Sequence, residues 1–182
     1  AASEADYLMR MLSRVEGMPL ESLATGVPWD WQSFGEYLDR LDGTLAVNAG
    51  FLVGHSALRR VAMGERSHEP ANEGDVAAMC RTLGESLAAG GMGFSSSQAP
   101  THNDGDGEPV PSRAATRDEL VALSRVVGDH PGTTLEFIPT VGPFSDEHVA
   151  LMAAMSASAR RSLNWNVLVV GAGSDTYQSQ LE

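Results

Sequence analysis

The sequence predicts an α/β chain of about four parallel strands with flanking helices. Two observations lead there. Apolar runs suited to buried strands recur at Thr44–Val53, Met92–Ser95, Thr134–Val141 and Leu163–Val170. The segments between them carry apolar residues at helical spacing, and such alternation means βαβ units around a parallel sheet. Length bounds the architecture. At 182 residues the chain can bury a real core, yet a closed eight-stranded barrel needs roughly 200 or more. The residues alone leave either a small open α/β domain or part of a barrel.

Ser3 to Val15 places Leu8, Met11, Leu12 and Val15 on one helical face, and Gly17 and Pro19 close it. Residues 18–32 read as a loop with Trp29 and Trp31 packing over a core edge. Ser33 and Glu36 form a capping box for a short helix with Phe34, Leu38 and Leu41 on one side. The Thr44–Val53 strand then delivers His55, Ser56, Arg59 and Arg60 on a turn and short helix to about Met63. After a polar loop, Gly74 to Ala89 is helical, with Val76, Cys80, Leu83 and Leu87 as its stripe, and Gly90–Gly91 stops it.

The second strand leads into a long irregular stretch, Ser96 to Arg113. Loops of that length in compact domains are usually functional or disordered. Thr116 with Glu119 caps a helix carrying Leu120, Leu123 and Val127. Ser145 caps the last helix, to about Ala159, with Val149, Met152 and Met155 facing in.

The formal charge is −12, which disfavours nucleic acid and anionic membranes as partners. No apolar run approaches the roughly 20 residues of a membrane span, and no secretory signal is visible. The lone Cys80 cannot close an internal disulfide, so a reducing, cytoplasmic location is expected. All basic residues are Arg and none is Lys, which excludes a Lys nucleophile, a Schiff-base Lys, a carbamylated-Lys metal bridge and a P-loop within this chain.

In parallel sheets, ligands sit just past the carboxyl ends of the strands. His55 with Arg59 one turn on suits a carboxylate or carbonyl; the plainer alternative is a strand-end His and an Arg in a surface ion pair. Glu136 lies in an apolar strand, where a carboxylate is expensive unless paired or solvated. Asn164 and Asn166 share one strand face, which suits a lined pocket or a structural hydrogen-bond network. His102, Asn103, Asp104 and Asp106 miss EF-hand spacing, and Ser95, Ser96 and Ser97 lack a nucleophile elbow.

The run GHSALRRVAMG, 54–64, resembles the Gly-His-Gly/Ser-x-Leu-Arg and Met-Gly segment of N-acyl-D-amino-acid deacylases (D-aminoacylases), members of the amidohydrolase superfamily. VEGMPLESL, WDWQSFGEYLDRL, AAGGMGFSSS and SRAATRDELVAL extend the resemblance from about Asp6 to Val170. It implies a partial (β/α)8 TIM-type barrel: an internal segment holding roughly the third to sixth strands, with 1–170 as barrel and 171–182 as a polar tail. It implies hydrolysis of the amide of small-molecule N-acyl-D-amino acids. Water would be activated by zinc, or another divalent metal, bound mostly outside this chain.

The family's His-x-His and ligand Cys would precede Ala1, and its catalytic Asp would follow Glu182. Two family His ligands belong on the last two strands, where this chain has Pro139 and Val167 instead. Hence no metal ligand and no catalytic residue is assigned here, and the chain alone should not hydrolyse substrate. His55, Arg59, Glu136, Asn164 and Asn166 form the substrate-binding set. The alternative is a diverged, non-catalytic α/β segment that binds a small ligand or self-associates as a homo-oligomer through exposed sheet edges.

Overall fold

A computed structural model describes residues 2–166, 168 and 176–181. In chain order the elements are α1 (Ala5–Val15), α2 (Leu20–Gly26), α3 (Phe34–Leu41), β1 (Val53–Gly54), α4 (His55–Met63), α5 (Glu73–Ala88), β2 (Gly93–Ser97), α6 (Arg117–Gly128), β3 (Thr134–Ile138), α7 (Asp146–Ala159), β4 (Leu163–Trp165) and α8 (Thr176–Leu181).

The four strands pair in parallel in the order β1-β2-β3-β4. That order resolves the two architectures the residues left open. A doubly wound sheet reverses direction partway and places later strands beside the first, whereas a barrel adds each strand to the same side. The sheet is a stretch of a (β/α) barrel wall.

Strand periodicity gives the sheet two chemically different faces. Phe94, Leu135 and Phe137 point to the helices and are fully buried with Met79, Leu83, Leu120, Leu123 and Met155. On the opposite, concave face Ser95, Glu136 and Asn164 stand in register across β2, β3 and β4. The apolar face is the core, and the polar face is left to the barrel interior.

Helix starts follow side-chain chemistry. Ser33, Asn72 and Ser145 each accept the backbone N–H of the N3 residue, and that residue's side chain returns the bond. The predicted Thr44–Val53 strand shrinks to Val53–Gly54, and Thr44 to Gly50 are exposed. The reason is pairing: β2 enters from the Gly90–Gly91 turn, and its contact with the first strand begins only with the Met92 N–H on Phe51 O, at 2.9 Å. Without a partner ladder, apolar composition does not make a strand.

Three smaller differences stand beside it. Leu20–Gly26 is a short helix where a loop was expected. Val149 is exposed, and Leu151, Met155 and Ala159 carry the buried face of α7. β4 covers only Leu163–Trp165, and the Val167, Val169 and Val170 part of the predicted strand lies outside the described residues, as do 171–175 of the predicted tail. Thr176–Leu181 of that tail is helical, and Gln180 Nε2 donates to Gly142 O at 2.9 Å.

Candidate binding site on the concave face

At the carboxyl ends of the strands lies a cavity of about 430 Å³. Its floor is polar: Ser95, Ser97, Glu136 and Asn166, with His102 and Ser112 from the long loop after β2. Asn166 Nδ2 donates to Glu136 Oε1 at 2.5 Å. His102 Nδ1 and Ser97 Oγ lie 2.9 Å apart. The opposite wall is apolar, made by Leu8, Met11, Leu12 and Val15 of α1 together with Trp29 and Val110.

Charged contacts fasten α1 over this cavity. The Arg60 guanidinium sits 4.3 Å above the Tyr7 ring and pairs with Glu4 at 2.5 Å and Glu65 at 2.7 Å. The Tyr7 hydroxyl donates to Asp104 Oδ2 at 3.1 Å, and Arg10 pairs with Asp106. Asp104 also accepts the N–H groups of Asp106 and Glu108, at 3.0 and 3.1 Å, which folds the 101–110 loop tightly. Burial and the neighbouring Asp104 push the Tyr7 phenol well above its ordinary value, so it remains a donor.

Behind the cavity is a buried ionic network. Arg59 Nη1 donates to both oxygens of Glu119, at 2.5 and 2.6 Å, and Arg59 Nε donates to Ser67 O at 3.0 Å. His55 bridges Glu119 through Nε2 and Ser96 through Nδ1, each at 2.8 Å. Arg59, Glu119 and His55 are all at most 1% exposed. Burial pushes the Glu119 carboxyl up, but hydrogen bonds from His55 and Arg59 outweigh that and hold it below the usual carboxylate range. Burial also pulls the His55 ring below its usual value, against the upward influence of Glu119. A neutral ring beside an ionised carboxylate puts the proton on Nε2, donating to Glu119, and leaves Nδ1 to accept from Ser96.

This network sets a pH dependence. Both native values are depressed, so the unfolded chain takes up more protons on acidification and stability falls. The loss begins near pH 6.5, where an unfolded His titrates, and Glu119 extends it below about pH 4.5. Below about pH 6.5 the unfolded chain binds the His55 proton that the folded chain refuses, so stability falls as the pH is lowered. Urea midpoints measured from pH 8 to 5 should show this decline, and His55→Gln should flatten its upper part. A profile identical in the His55→Gln protein would refute the assignment.

The structure brings His55, Glu136 and Asn166 to the cavity wall. It does not bring Arg59 there: a guanidinium with no exposed surface, held by Glu119, Ser67 O and Glu69 O, cannot reach a ligand. The ion pair exists, but it is buried rather than superficial. Asn164 is exposed beside the cavity and meets Asn166 Oδ1 at 3.5 Å. Sequence reasoning missed Glu119. Thr116 Oγ1 does accept the Glu119 N–H at 3.3 Å, but the carboxylate turns inward instead of returning a cap. Its i, i+4 relation to Leu123 was the available signal. The α1 wall carried no signal beyond amphipathicity.

The residues present do not fit a metal centre. Among the described residues no group of three or more His, Cys, Asp or Glu converges on one point. Both His55 nitrogens are engaged, and Glu136 and Asn166 bond each other rather than standing free as ligands.

Consecutive parallel strands with a polar cavity at their carboxyl ends define a segment of a (β/α) barrel. No family model matches the chain. The D-aminoacylase of Alcaligenes xylosoxydans xylosoxydans is 31% identical over 153 residues, covering 84% of this chain. An uncharacterised protein of Mycobacterium tuberculosis is 31% identical over 164 residues, covering 82% of the chain. A D-aminoacylase crystal structure described as defining a novel subset of amidohydrolases superposes with a TM-score of 0.58 at 24% identity, over 81% of the chain. Another, from work on the binuclear metal centre of D-aminoacylase, gives 0.57 at 25% identity over 80%. The chain is a D-aminoacylase homologue, and it spans 28% of that Alcaligenes relative and 26% of the mycobacterial one.

Proposed function

We propose that this chain supplies one wall of the substrate pocket in an amidohydrolase that cleaves N-acyl-D-amino acids. Residues 1–170 are its barrel segment and 171–182 its tail, in a cytoplasmic protein. What carries the reading is the polar floor of Ser95, Glu136 and Asn166, set at the carboxyl ends of parallel strands in a D-aminoacylase homologue. Glu136 accepts the substrate amide N–H on the oxygen that Asn166 leaves free. Asn166 and the serine hydroxyls hold carbonyl oxygen. His55 is a positioning residue, locked between Ser96 and Glu119. Zinc, or another divalent metal, would belong to residues outside this chain.

The test is release of free D-amino acid from N-acetyl-D-amino acids by protein carrying this chain, with divalent metal supplied. L-isomers serve as controls. Losing a charge-assisted hydrogen bond to substrate costs about 1.5–3 kcal/mol, so Glu136→Gln should weaken kcat/KM roughly ten- to a hundredfold. Absence of turnover with metal present, or an unchanged Glu136→Gln protein, would refute the proposal.

The hydrogen-bonded Glu136 and Asn166 side chains favour one other reading, a non-catalytic segment that binds a small ligand or pairs with itself through the β1 or β4 edge. Gel filtration at the mass of a compact monomer removes the self-association part.

A further inference from the structure

Beside the polar cavity lies a second, larger one of about 830 Å³, bounded by α2–α5 and β1. Leu8, Leu12, Trp29, Gly54 and Ala57 line both. The two are therefore adjoining chambers, one with a polar floor and one walled by aromatic and aliphatic side chains. Trp29 stands at the division. Its φ of 51° lies in the left-handed region, uncommon for a bulky residue. Its ring is held there by stacking on Trp31 at 5.4 Å and by Nε1 donating to Leu23 O at 3.2 Å. Backbone strain retained between two cavities is a feature of sites rather than of plain cores.

We infer that the larger chamber takes the acyl chain of an N-acyl amino acid, so the preferred ligands carry medium or long acyl groups. The inference rests on the function proposed above, which places the amide over Ser95, Glu136 and Asn166. An amide seated there has an apolar route past Leu12, Trp29 and Ala57 for the carbon chain attached to it. A small acyl group leaves that chamber unused. A chain of eight to twelve carbons, by contrast, moves methylenes from water onto Trp29, Trp31 and Val61.

The experiment measures binding, not turnover. N-acyl-D-leucines with acyl chains of two, eight and twelve carbons, some brominated at mid-chain, are titrated below their aggregation concentration while tryptophan fluorescence is followed. Affinity should rise by up to about fourfold per added methylene. Bromine should quench strongly, and the quenching should vanish in a Trp29→Phe, Trp31→Phe protein, which keeps Trp165 on β4 against Phe144. Val61 is 46% exposed on α4, so Val61→Arg charges the chamber without cutting the core; it should abolish the chain-length dependence and leave acetyl-ligand affinity intact. A flat dependence, as when another segment or a second copy covers the chamber, overturns the inference, and so does a dependence that survives Val61→Arg. Neither result touches hydrolysis of acetyl substrates. A rising dependence without any hydrolysis supports the chamber and removes only the reaction.

Discussion

Glu119→Gln should cost the fold about 3–5 kcal/mol, because it leaves the Arg59 guanidinium buried without a counterion. Arg59 has no exposed surface, and both Glu119 oxygens accept from its Nη1. The amide can accept from one Arg59 N–H, but it carries no charge and brings two donors into a space already full of them. His55 loses its ionised acceptor in the same step. Typical domains are stable by only 5–15 kcal/mol, so the variant should unfold at a much lower urea concentration with an unchanged slope. The effect reaches the pocket as well, since Glu119 fixes His55 and Arg59 holds the 67–69 turn. A loss under about 1 kcal/mol would mean that the network is not what locks α4 to α6.

Gly93→Ala should cost about 3 kcal/mol or more, through backbone rather than side-chain chemistry. Gly93 opens β2 with a φ of 155°, and a Cβ there would collide with the Thr134 carbonyl and stand 2.8 Å from the Thr134 nitrogen. Relief requires parting β2 from β3 where the Thr134 N–H bonds Met92 O at 2.9 Å. The matched control is Gly54→Ala, where φ is negative and nothing lies within 4 Å of the added carbon; it should stay within about 1 kcal/mol of the parent. Equal urea midpoints for the two variants would show that the close β2–β3 approach is unimportant.

The sequence by itself determined the alternation of strands and helices, the capping box at Ser33 and the helix cap at Ser145. It also determined that Asn164 and Asn166 share one strand face. These are local matters: a period of two or 3.6, or a side chain reaching a backbone three residues on, is complete within a short window. The resemblance to D-aminoacylases was legible for the same reason, carried by contiguous runs such as GHSALRRVAMG. His55 was readable as a polar group just past a strand end, where a parallel sheet presents its site, and Glu136 and Asn166 as polar groups within apolar strands.

Only the tertiary structure decided the rest. Strand order separates a barrel wall from an open sheet, and order is a relation among segments some 40 residues apart. Thr44–Gly50 looked like strand until its lack of a partner ladder appeared. Arg59 looked like a ligand-binding cation because its type suits that role. Its fate depends on Glu119, 60 residues away, whose own sequence signature was that of a helix cap. The apolar wall over the pocket comes from α1, brought there by Tyr7, Arg60 and Asp104, contacts spanning up to 97 positions. Burial and long-range pairing decide whether a charged side chain is a ligand contact or a structural tie, and neither is written in the neighbourhood of the residue.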